Sequence, residues 1–319
     1  MTRLVTALLL ILICPNAIAN VALVSPDENI RVTFFTEKDD LSYAVDFKGE
    51  AIIAQSSLGL KSQMDDRLEV MGVAHAFGDE TWSPVWGIHS EIHDRYNEVQ
   101  MQIEGESAQT ITIRAYDDGI AFRYRIPESR KFSAEAYQYE ASQISFVSEQ
   151  PKAWFPLSSA LVSDTVDVNA WEPAGPGKYR PGKNTRYDYK PSFINTPFTL
   201  KLSQRAYLSI HEAAVTQSDM AGLQLIDNTL TFQSNMPSAG GHVTPWRTIT
   251  ISDQAGGLIE SSLIYNLNEP SKIENTSWIK PGLTLWVWRN HGAQADVGFE
   301  YGENSDRYIR DCDFAAEAG

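Results

Sequence analysis

With 41 acidic against 26 basic residues in 319, the chain carries a formal charge of −15. That charge repels nucleic acid and anionic lipid and leaves neutral ligands or hard cations such as Ca²⁺ as the compatible partners. Its two cysteines are Cys14 and Cys312. They are too few for a disulfide framework, and about 250 residues of β structure are enough to bury a core without one.

The first 19 residues read as a signal peptide. Arg3 is their only charge, Leu4 to Cys14 is an apolar core too short to span a bilayer, and Ala17-Ile18-Ala19 is an A-x-A cleavage site. The expected mature chain starts at Asn20, without Cys14, and is exported to the periplasm or secreted. Cys312 is then alone, so no intrachain disulfide is expected.

Beyond Asn20, period-2 alternation dominates. It runs through Ile30–Phe34, Leu41–Phe47 (closed by Lys48-Gly49), Met101–Glu104, Thr110–Tyr116 and Ile120–Ile126. Asp117-Asp118-Gly119 joins the last two as a hairpin turn. The alternation resumes at Phe198–Leu202, Tyr207–His211, Leu223–Leu225, Leu230–Phe232 and Thr248–Ile251. Helical periodicity is nearly absent before residue 300. So many strands in one stretch predict a large sandwich over residues 20–270.

Two stretches break the rhythm. Glu172 to Pro191 holds four prolines, three glycines and three tyrosines, which predicts a long irregular loop. Residues 271–282 read as a linker, polar and closed by Pro281-Gly282. Leu283 to Trp288 is then apolar on both faces, and a helix is expected over Asp306–Ala318. A strand of that kind needs parallel neighbours and covering helices. Residues 283–319 are therefore read as the opening of an α/β domain in a sequence that is a piece of a longer protein. Cys312 shares a helix face with Ile309 and Ala316, a core position more than a nucleophile.

Motifs of catalysis are sparse. His211-Glu212 begins like a zinc-protease HExxH but has no second histidine and lies in an alternating strand. No nucleophile elbow, dinucleotide fingerprint or Walker pattern occurs. Glu212 itself is more informative. Alternation over Ala206–Ala214 places it with Leu208 and Ile210, opposite Tyr207, Ser209 and His211. A carboxylate on an apolar face costs several kcal/mol unless compensated. The candidates are an arginine partner, a metal ion, or a strand end that reaches solvent. Eight tryptophans in an exported acidic chain suggest sugar stacking, although core filling accounts for most. Trp82 and Trp86 flank Ser83-Pro84-Val85 in a loop-like context, and Trp171 opens the long loop. These three are the candidate substrate-binding residues.

Taken together, these strings carry a resemblance. They include Ser56–Leu60, Trp82–Gly87, Tyr96-Asn97-Glu98, Arg114–Tyr124, Ile210–Ala213, Thr244–Ile249, Leu263–Asn268, Ser277–Gly282 and Asp313–Glu317. In this order and spacing, the chain resembles the N-terminal region of family 97 glycoside hydrolases, exported bacterial α-glucosidases and α-galactosidases. The resemblance implies a mainly β fold: a large antiparallel β-super-sandwich, a linker, and the first β-strand and α-helix of an incomplete (β/α)₈ barrel at 283–319. It also implies an exo-acting, calcium-dependent α-glycosidase that hydrolyses oligosaccharides. The catalytic carboxylates would lie on later barrel strands, so none is assigned on this chain. Glu212 matches the sandwich glutamate expected to contribute to the Ca²⁺ site, and the missing barrel would supply the other ligands. Arg289-Asn290-His291 and Asp311-Cys312 depart from the family's expected residues. The alternative is a stand-alone carbohydrate-binding sandwich using the three tryptophans and the 172–191 loop, without catalysis.

Overall fold

A computed structural model describes residues 10–12, 21–37, 40–61, 69–104, 109–128, 139–140, 142–158, 161–162, 165–168, 194–216, 220–234, 241–282 and 305–318. The chain separates into two compact units. The larger holds the chain up to Ser83 and Glu91–Pro270; the smaller holds Pro84–Ser90 and Ser271 onward.

The larger unit is a sandwich of two antiparallel sheets. Among the described residues, one sheet has ten strands, in the order Leu10–Leu12, Glu69–Trp82, Ile92–Glu104, Gln109–Tyr116, Gly119–Arg125, Trp246–Ser252, Ala206–Ala213, Phe198–Ser203, Lys152–Trp154 and Val166–Asp167. The other has seven, in the order Gly222–Ile226, Thr229–Gln233, Gln143–Phe146, Glu50–Ser57, Asp40–Phe47, Ile30–Glu37 and Val21–Val24. The ladders are antiparallel throughout, as short turns between sequential strands require. Residues of the expected signal peptide are described only at Leu10–Leu12, which pair with Val73–His75 at the sheet edge.

The alternation seen in the sequence is the alternation of burial. In Gln109–Tyr116, Ile111, Ile113 and Ala115 point into the core while Thr110, Thr112 and Arg114 point out. One continuous apolar cluster joins the inner faces of both sheets. Phe122 sits near its centre, 6.0 Å from the Tyr43 ring and 6.1 Å from the Phe232 ring at 89°. Tyr43 and Phe232 belong to the opposite sheet, so this edge-to-face contact fixes the spacing of the layers.

The hairpin Tyr116–Gly119 forms as the sequence predicts, with Gly119 at φ +155°. A Cβ there would lie 2.4 Å from the Ile249 carbonyl oxygen, so the neighbouring strand admits only glycine. Asp118 has a use beyond the turn. Its Oδ2 accepts from Ser261 Oγ (2.7 Å) and the Ser262 N–H (3.1 Å). That contact anchors two short helices, Ala255–Glu260 and Leu263–Asn266, which the sequence did not reveal because six and four residues are too few to display a 3.6-residue period. Leu263 and Leu267 cover a second apolar cluster on the outer face with Tyr116, Ala121, Ala213 and Trp246.

In the smaller unit, the described element is the helix Ser305–Ala318. Of the face predicted to be core, Ile309 and Ala316 are exposed, and Cys312 is not buried either. The expectation that Cys312 is a core residue is thus corrected: it shares a helix face with Ile309 and Ala316, and all three are exposed. The strand expected at 283–288 and the long loop at 172–191 lie outside the described residues. No described helix is long and apolar enough to cross a membrane.

Candidate functional site

Two polar clusters stand out, one inside the sandwich and one on its outer face. The inner cluster is built on Glu212. The strand Ala206–Ala213 aims Glu212 inward beside Leu208 and Ile210, as the alternation predicts, and the residue is 4% exposed. Its cross-strand partner is Arg247, on Trp246–Ser252. The same alternation turns Arg247 inward with Ile249 and Ile251, and it is 0% exposed.

The Arg247 guanidinium is held on several sides. Nη1 donates to Glu212 Oε1. Nε donates to both Glu140 oxygens at 3.1 and 3.0 Å, and Nη2 donates to Glu140 Oε2 at 2.6 Å. Nη2 also reaches Ser234 Oγ at 3.2 Å, and Ser234 donates to Glu140 Oε2 at 3.1 Å. The Phe232 ring centre lies 5.2 Å from the guanidinium carbon. The second oxygen of Glu212 accepts the Ala221 N–H at 3.0 Å. Burial pushes the Glu212 carboxyl above the ordinary carboxylate range, against the opposing pull of the Arg247 charge.

Of the three compensations open to Glu212, the structure therefore supplies the arginine. The group also ties layers together. Glu212 and Arg247 belong to the ten-stranded sheet, Glu140 to a two-stranded piece with Leu60–Lys61, and Ser234 and Ala221 flank strands of the seven-stranded sheet. The surroundings do not fit a Ca²⁺ ion. Calcium takes six to eight oxygens, and here a buried guanidinium occupies the carboxylate. Among the described residues, no group of three or more His, Cys, Asp or Glu could hold a metal.

The outer cluster lines a cleft of about 670 Å³ bounded by Phe77–Glu80, Tyr96, Arg114, Arg123, Trp246 and Asn266–Pro270. Its wall alternates aromatic and cationic side chains. The Arg114 guanidinium lies 4.0 Å from the Tyr96 ring centre and 5.0 Å from Trp246, and Arg123 lies 4.2 Å from Trp246. Glu98, itself buried, accepts from Arg114 Nε at 2.6 Å. Tyr96 can lie flat because Gly78 faces it, where a Cβ would come within 2.5 Å of the ring. Burial, then the nearby Arg114 and Arg125, lower the Arg123 pKa. Four strings that carry the family resemblance, those at Tyr96, Arg114, Thr244 and Leu263, meet on this face.

The expected sugar-binding tryptophans fall in different parts of the chain: Trp82 in the larger unit and Trp86 in the smaller. Trp82 is the last residue of the strand Glu69–Trp82, directly before the irregular stretch that begins at Ser83. It is half-buried, and its indole N–H donates to Asn266 Oδ1 at 2.9 Å, so packing already uses it. Trp86, in the smaller unit, is 70% exposed. Trp171 lies outside the described residues. Sequence reasoning missed Glu140 and Arg247. The inward register of Arg247 among Ile249 and Ile251 was a usable signal; Glu140, in a strand of two residues, had none.

The comparisons with known proteins agree with this architecture. Residues 23–270 match the family described as Glycosyl-hydrolase 97 N-terminal. The chain is 25% identical to the retaining alpha-galactosidase of Bacteroides thetaiotaomicron, an alignment covering 98% of this chain and 51% of that protein. It is also 25% identical to a protein of Streptomyces bingchenggensis named a probable retaining alpha-galactosidase, covering 88% of this chain and 41% of that one. A Glycoside Hydrolase Family 97 enzyme of Pseudoalteromonas sp. strain K8, solved in complex with acarbose, superposes with a TM-score of 0.74 at 26% identity, covering 94% of this chain and 46% of that one. The chain thus spans about half the length of the relatives it matches. With the sandwich matched over nearly its whole extent, the chain belongs to the glycosyl-hydrolase 97 N-terminal family.

Proposed function

We propose that the intact protein is an exported, exo-acting α-glycosidase that hydrolyses oligosaccharides with retention, and that this sandwich braces its catalytic barrel. The observation that carries the reading is the match over residues 23–270, together with relatives named retaining alpha-galactosidases that continue for as much chain again. In such enzymes, two carboxylates about 5 Å apart act as nucleophile and as acid then base. Neither role falls to a described residue here. Glu212 and Glu98 are both held by arginines. Calcium dependence, implied by the family resemblance, belongs to this proposal for the whole protein, although the setting of Glu212 does not fit the ion.

The test is to express the complete coding frame and assay 4-nitrophenyl α-galactoside and α-glucoside. Activity on either supports the reading and identifies the sugar; inactivity on both overturns it. Proton NMR of the first-formed anomer then tests retention. A second reading, a carbohydrate-binding sandwich without catalysis, is favoured by one observation, the 70% exposure of Trp86 beside the exposed Val85 and Ile88. Titration with maltooligosaccharides that releases heat in the 319-residue chain, and none in Trp86→Ala, would support it.

A further inference from the structure

We infer that Glu212 is an arginine-held clasp for the crossover between the two sheets and not a cation ligand. The inference disagrees with what the family resemblance implies for this residue, and it rests on the proposed function only where calcium is concerned.

Both carboxylate oxygens are already taken by donors. Oε1 meets Arg247 Nη1, and Oε2 accepts the Ala221 N–H. A Ca²⁺ ion on either oxygen would have to displace one of these donors. Arg247 is not free to leave. It is fully buried and tied to Glu140 and Ser234 as well, so moving it would strand a charge in the core. A divalent cation beside it would also meet a guanidinium within ion-pair distance, a repulsion little screened in a buried setting.

Directly after Ala213 the chain leaves the ten-stranded sheet, and it enters the seven-stranded sheet at Gly222. Only residues 214–221 make that passage. Glu212 is the penultimate residue before the departure, and Ala221, whose N–H it holds, is the last before arrival. One carboxylate thus pins both ends of the crossover, and Arg247 fixes the carboxylate. Three of the cluster's hydrogen-bonding groups come from other layers, namely Glu140, Ser234 and the Ala221 amide. This arrangement accounts for the burial of Glu212 without any ion.

Two measurements test the inference. In the 319-residue chain, hydrogen exchange of peptides spanning 220–226 is compared for wild type, Glu212→Gln and Glu212→Ala. Loss of protection there, with a melting temperature unmoved by millimolar CaCl₂ in the wild type, supports the clasp. Unchanged protection in both variants overturns it. In the protein from the complete coding frame, Ca²⁺ affinity is measured by competition with a chelating dye. An affinity for Glu212→Gln within about twofold of wild type supports the inference, and weakening by about tenfold or more with unchanged exchange overturns it. If that protein binds no Ca²⁺ at all, the calcium part of the proposed function fails, and the exchange measurement alone decides the clasp. Should Glu212→Ala not fold, Glu212→Gln carries both measurements.

Discussion

Replacing Arg247 with Met tests the inner cluster most severely. Methionine keeps much of the volume and the contact with Phe232 but removes five hydrogen bonds, three of them to Glu140, one to Glu212 and one to Ser234. It leaves two carboxylates, 0% and 4% exposed, with no cation between them. Removing one partner of a buried ion pair costs about 3–5 kcal/mol. A folded domain holds only about 5–15 kcal/mol in total. For a domain of roughly 250 residues, each kcal/mol moves the melting temperature by about 2–4 °C, so the expected drop is about 6–20 °C at neutral pH. The assay is thermal unfolding followed by near-ultraviolet circular dichroism, since Trp246 neighbours the substitution. The same melts at pH 4 should show a smaller gap, because burial already raises the Glu212 carboxyl and protonation relieves it once its cation is gone. Arg247→Lys should fall between, having the charge without the fork that spans both partners. A drop below about 2 °C for Arg247→Met at neutral pH would show that the cluster is not a strong determinant of stability, and the reasoning would be refuted.

Other outcomes are expected elsewhere. Gly119→Ala should destabilise by at least about 2 kcal/mol in urea unfolding, because its Cβ meets backbone rather than a movable side chain; a neutral result would mean that the hairpin can shift away from Ile249. The raised Glu212 pKa predicts a pH dependence with a definite sign. A carboxyl raised in the folded state adds stability that is fully present below its ordinary value near 4.5 and is lost as pH rises through the folded value. Wild type should therefore gain on Glu212→Gln as pH falls from neutral toward about 4.5, and a gap that widens in favour of Glu212→Gln would contradict this. Phe122→Ala should cost about 3–5 kcal/mol by chemical denaturation, since it empties the contact between the layers; a loss under about 1 kcal/mol would mean that the core collapses around the gap.

How much the sequence determined follows from which forces act locally. Strand alternation is local, because successive side chains face opposite sides of a sheet. Period-2 runs therefore place Ile111, Ile113, Phe122, Leu208 and Ile210 on the core face from the order of residues alone, and they put Glu212 among them. Turn chemistry is local too, and Asp117-Asp118-Gly119 is legible as the hairpin that forms. The long strand Glu69–Trp82 is not legible, since Gly72 and Gly78 interrupt its alternation and its order comes from pairing with Ile92–Glu104. Nor are the two short helices, whose position depends on Asp118 reaching Ser261 across 143 residues. The partner of Glu212 shows the limit most clearly. Sequence alone established that a buried carboxylate needed compensation, and it left arginine, metal and solvent open. Only the tertiary structure shows the arginine, because pairing with Arg247 arises from strand register 35 residues away, and Glu140 reaches Arg247 from another layer at a separation of 107. Electrostatic compensation is set by proximity in space, which local periodicity does not encode.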